Sequence, residues 1–88
     1  MVNGVTKSGF HFSVDEKCMN DMELVDVLAD NTMDDAFKMS MVVKKILPLE
    51  QRAALYDHVR VDGRVPVDAV VAAVEDIFAA LGKQGKNS

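Results

Sequence analysis

The stretch "GFHFSV" alternates Phe10, Phe12 and Val14 on one side with His11 and Ser13 on the other, the period of a half-buried strand. Before it, "VTKSG" is β-prone and supplies Gly9, which can take positive φ, so residues 2–7 and 9–14 are expected to form a β-hairpin. A lone hairpin is marginal in water. Its aromatic face must therefore lie on helices of the chain or on another subunit.

After the hairpin the period lengthens. Ser13 and Glu16 have capping-box spacing and predict a short helical turn over 14–19. Asn20 or Asp21 then caps a helix over 21–30, with Met22, Leu24, Val25, Leu28 and Ala29 on one side and Glu23, Asp26 and Asp30 on the other. Thr32 is the expected N-cap of a helix over 33–47, with Asp34 and Asp35 in its first turn and Lys44 and Lys45 in its last, placements that suit the helix dipole. Pro48 ends that helix and opens another over 48–59, with Leu49, Ala53, Tyr56 and Val59 on its buried side. "VDGRVP" is a loop built on Asp62–Gly63, and Pro66 starts the last helix. There Val67, Val70, Val71, Val74, Ile77, Phe78 and Leu81 recur at spacings of three and four, and Gly82 stands where a left-handed C-cap belongs.

These elements predict a mostly α, α+β fold: an N-terminal β-hairpin followed by a small bundle of about four helices. The 88 residues suffice for one hydrophobic core. Residues 1–82 are expected to form a single compact domain, and 83–88 a flexible C-terminal tail. Cys18 is the sole cysteine, so the fold stands without a disulfide and suits a reducing compartment. No apolar run approaches membrane-spanning length, and "MVNGVTKSGF" lacks the pattern of a signal peptide.

Fourteen acidic residues against ten basic ones give a formal charge of −4, which opposes a phosphate backbone unless bases cluster. Lys44, Lys45, Arg52, Arg60 and Arg64 stand among acids, so nucleic acid is not the expected partner. His11 and His58 share no motif with Cys18, and an enzyme is not expected. "DNTMDDAFKMSM" opens like a calcium loop at Asp30, Thr32 and Asp34, but Asp35 replaces the turn glycine and Met41 the bidentate glutamate. Neither a metal nor a cofactor is expected.

The helix over 33–47 carries more apolar surface than one face requires. Ala36, Met39, Val43, Ile46 and Leu47 form one stripe, and Met33, Phe37 and Met41 form a second. Such a helix is central in the fold, with the second stripe under the hairpin, or it presents that stripe to a partner. Methionine, flexible and polarizable, suits surfaces that adapt to several apolar partners.

Taken in order, "NG-V-T-K-SGFHF", "DMELVDVL", "LPLEQRAALYDHVR", "GRVPVDAVVAAVEDIF" and the terminal "GKNS" resemble the small tail assembly chaperones of long-tailed, siphovirus-type bacteriophages and prophages, a likeness that spans most of the chain. The resemblance implies a non-enzymatic morphogenesis factor of the bacterial host cytoplasm. Such a factor binds the tape measure protein, keeps it soluble, helps recruit tail tube subunits, and is not retained in the mature virion. It further implies a longer form made by −1 frameshifting near the end of the reading frame. Gly85–Lys86–Asn87 permits this, because GGA AAA AAC encodes it and contains a slippery heptamer.

On physical grounds Phe10, Phe12, Met33, Phe37 and Met41 are the expected contacts with a client or another subunit, and an open hairpin edge favours a homo-oligomer. The alternative is a small regulatory helical domain that binds nucleic acid through Arg52, Arg60 and Arg64, or that binds protein.

Overall fold

In a computed structural model of the chain, which describes residues 1–86 and the side chains through Gly82, an antiparallel hairpin is followed by a 3-10 turn and four helices. Strand β1 (Val2–Val5) pairs with β2 (His11–Val14), Val2 opposite Val14 and Gly4 opposite Phe12. The 3-10 turn Glu16–Met19 leads into α1 (Met22–Ala29), α2 (Asp35–Ile46), α3 (Leu49–Val59) and α4 (Val67–Lys86). This is the α+β bundle that the alternating and helical periods predict.

The hairpin closes through a three-residue loop. Gly9 takes φ 94°, its N–H reaches the Thr6 carbonyl at 2.9 Å, and the Thr6 N–H donates to the Phe10 carbonyl at 2.9 Å. Positive φ at the third loop position lets the strands leave with matching twist. The loop is then tied down from two sides. Asp76 of α4 accepts from the Lys7 N–H at 2.9 Å, and His58 of α3, in the tautomer protonated on Nε2, donates to the Ser8 carbonyl at 3.0 Å.

The aromatic face of the hairpin turns inward onto the chain's own helices. Phe10, Phe12, Val14 and Val2 join Leu24, Val42, Val43, Ile46, Leu55, Val74 and Ile77 in one continuous core. Phe12 lies across Gly4 so closely that a Cβ there would stand 2.6 Å from its Cζ. Any larger residue at position 4 must displace a buried ring. The far edge of β2 is closed by a side chain: Gln51 of α3 accepts from the Ser13 N–H at 3.0 Å and donates its amide to the Ser13 carbonyl. Replacing Gln51 with alanine leaves both partly buried groups unpaired and is expected to lower stability by about 1–2 kcal/mol in chemical denaturation.

Several local expectations change in the folded chain. Ser13 does not cap the 3-10 turn: Gln51 holds its backbone N–H and carbonyl, the turn is capped by Asp15, which accepts from the Lys17 N–H at 2.9 Å, and Glu16 pairs with the chain's amino terminus at 3.2 Å. Thr32 does not cap α2. The Asp30 carboxylate takes both its N–H (2.8 Å) and its hydroxyl (2.6 Å), making a local turn, and Asp34 caps the helix through the Ala36 N–H at 2.9 Å. These two bonds, the hydroxyl first, hold the Asp30 carboxyl below its usual pKa.

The buried faces shift as well. In α1, Leu24 and Val27 point inward while Met22, Val25 and Leu28 are exposed. In α3, Leu55 and Val59 are buried and Leu49 and Ala53 are not, because the inward stripe runs through 52, 55, 56 and 59 and Leu49 lies further round the helix. The last helix keeps its predicted stripe at Val70, Val74, Ile77 and Leu81, but Val67 is exposed. It also runs through Gly82, where a C-cap was expected, to Lys86. Asn87, Ser88 and the side chains of the GKN segment lie outside the described residues.

Between α3 and α4, Asp62 and Gly63 both take positive φ, 51° and 78°, and Val61 bridges Arg64. That is a type I′ turn, the geometry for which Asp–Gly is suited. No described helix is long and apolar enough to cross a membrane.

Candidate protein-binding surface

Helix α2 crosses the middle of the molecule, packing on α1, α3, α4 and the 3-10 turn. Its inward side is Val42, Val43 and Ile46, with Met39 partly buried against them. The opposite side belongs to the second apolar stripe. Phe37 is 70% exposed and Met41 43% exposed, while Met33, just before the helix, is half-buried. Placement under the hairpin is thus excluded for Phe37 and Met41. The inner face of the hairpin is already filled, and α2 meets the core through its other side.

One flank of this ridge is fixed by charge. Lys45 bridges to Glu23 at 2.8 Å and Asp21 at 3.6 Å at the start of α1. The hydrogen bond to Glu23 first, and then the two negative charges, raise its pKa. Lys38 reaches the Leu28 carbonyl at 3.4 Å. The other flank opens into a cleft of about 210 Å³ between α2, α3 and the start of α4, lined by Met39, Ser40, Tyr56, Val65, Val67 and Val70. It is mostly apolar, and the exposed Val67 stands at its rim. Ridge and cleft share α2, so an extended or helical apolar segment laid across Phe37 can reach both.

Of the five residues expected to contact a partner, the fold separates two from the rest. Phe10 and Phe12 are 6% and 4% exposed and serve the core of this chain, so they offer a partner no surface. Phe37 and Met41 stay outside, and Met33 lies near them in sequence. The cleft was not legible in the sequence, since its walls come from three separated segments. Tyr56 and Val70 look like ordinary core positions there, and only Val67, an apolar residue in the first turn of a helix, hints at an uncovered end.

Elsewhere the chemistry is sparse. Burial, followed by the negative charges of Asp15 and Asp21, pushes the Cys18 thiol above its usual pKa, which opposes the thiolate a nucleophile needs. His58 is engaged with Ser8 and stacks at a tilt on Phe10, ring centroids 5.9 Å apart. Among the described residues no group of three or more His, Cys, Asp or Glu side chains converges to hold a metal ion. Arg60 is tied to Asp57 at 3.1 Å. Comparison of the chain with protein families, with curated proteins and with solved structures returns no match.

Proposed function

We propose that this chain is a non-enzymatic assembly chaperone of a long-tailed phage or prophage. It holds an apolar segment of the tape measure protein on the α2 ridge and adjoining cleft while tail tube subunits gather. The observation that carries the reading is the pairing of Phe37 and Met41, exposed on the helix that crosses the fold, with an apolar cleft beside them. Neither residue belongs to the buried core, so both are free to meet a partner. Large exposed apolar side chains grouped on one element mark interaction surfaces. The acidic balance of the chain keeps loaded complexes from associating with one another.

The resemblance of the ordered motifs to tail assembly chaperones supplies the client's identity. In this reading the protein acts in the bacterial cytoplasm, leaves before the particle matures, and is made also in a −1 frameshifted form. The test is co-expression of the full chain with the tape measure protein of the same phage. The tape measure protein is expected to move from the pellet to the soluble fraction and to co-purify with the chain. A tape measure protein that is equally insoluble with and without it contradicts the reading. For the extended form, the gene should carry the slippery heptamer at codons 85–87 followed by an open −1 frame.

A further inference from the structure

The outer ridge of α2 is not only apolar; its charges are ordered. Phe37, Met41 and Lys44 follow one another at steps of four and three residues, the spacing that places side chains in a single seam along a helix. Asp34, the N-cap three residues before Phe37, stands at the start of that seam with one carboxylate oxygen on the Ala36 N–H and the other free for a second partner. Asp34, Phe37, Met41 and Lys44 are each exposed. Asp34 and Lys44 belong to none of the ion pairs formed among the described residues. The seam runs from an acid, through two large apolar residues, to a base.

Such a seam is complementary to itself when reversed. We propose that in the absence of a client α2 packs antiparallel against α2 of a second copy across a two-fold axis. Phe37 of each chain then meets Met41 of the other, and Asp34 meets Lys44. Both contact pairs are centred at the same level along the helix, that of residue 39, so one axis through the outer face satisfies them together. A two-fold contact requires this reciprocity. The antiparallel arrangement also sets each helix's positive end beside the other's negative end. A parallel arrangement would stack Asp34 on Asp34 and Lys44 on Lys44, and is disfavoured.

The contact does not depend on who the client is. It covers Phe37 and Met41 in the free protein and leaves the cleft at the edge of the contact, so a client that engages the ridge must displace the second copy.

Sedimentation equilibrium of the full chain is expected to show a monomer–dimer equilibrium. Lys44→Glu, which sets two acids opposite each other twice per dimer, is expected to weaken it about tenfold, from roughly 0.5–1 kcal/mol lost at each of two contacts. Carbodiimide coupling of a mixture of 14N- and 15N-labelled chains should join Lys44 of one isotope to Asp34 of the other. Within one chain the two are separated by about 15 Å of helix, too far for a zero-length link. Lys44 is exposed, so the variant should still fold and keep a cooperative thermal transition. A chain that stays monomeric at high concentration overturns the proposal. So does a dimer indifferent to Lys44→Glu whose cross-links lie elsewhere. Either result leaves the tape measure reading standing, since that is tested by solubility of the client.

Discussion

Phe12→Ala is expected to destabilise the chain by about 3–5 kcal/mol, the cost of deleting a buried aromatic ring. Phe12 lies across Gly4 within the closed hairpin and belongs to the same core as Leu55, Val74 and Ile77. A domain of this size has only about 5–10 kcal/mol of stability in all, so the variant should unfold far earlier in urea and lose its hold on the chain's helices as well. Denaturant melts followed by far-UV circular dichroism measure this. A loss below about 1 kcal/mol would mean that the hairpin is not part of the cooperative core.

Phe37→Asp is expected to do the reverse. The side chain is 70% exposed, so at concentrations where the chain is monomeric the thermal transition should remain cooperative, with stability changed by no more than about 0.5 kcal/mol. Binding should suffer severely. An aromatic anchor at the centre of an interface contributes about 2 kcal/mol or more when truncated, and a charge in its place adds desolvation. The expected loss of affinity for the tape measure protein is therefore at least about thirtyfold. Affinity measured by titration calorimetry with the folded variant decides it. Unchanged affinity would remove Phe37 from the site. Together the two substitutions divide the aromatic residues into those that hold the fold and those that leave it.

That division shows what the sequence can reveal. The hairpin was legible because "GFHFSV" alternates and Gly9 allows the turn. The last helix was legible because four turns of apolar spacing leave little choice. Asp62–Gly63 named its turn through the positive φ both residues take. Periodicity, however, reports that a face is apolar and not what covers it. Phe10 and Phe37 look alike as candidates for a partner surface. One is covered by helices from distant parts of the chain, and the other stands exposed among the described residues. Caps differ for a related reason: the Thr32 hydroxyl is taken by the Asp30 carboxylate, while Gln51, 38 residues away, holds the Ser13 backbone and the Asp15 carboxylate caps the 3-10 turn in place of the Ser13 hydroxyl. The second stripe on α2 was visible as a surplus, and only the fold places it opposite the core. The cleft depends on Tyr56, Val65 and Val70 meeting Met39, a meeting that no local pattern records.

The six methionines of the chain supply probes for the central claim, that the α2 ridge and its cleft receive the client. Met33, Met39 and Met41 lie on or beside that surface, while Met1, Met19 and Met22 are on other elements. In a chain labelled with 13C at the methionine methyls, addition of the tape measure protein should shift or broaden Met33, Met39 and Met41 and leave Met1, Met19 and Met22 in place. Changes confined to Met1, Met19 and Met22, or no change at saturating client, would contradict the account.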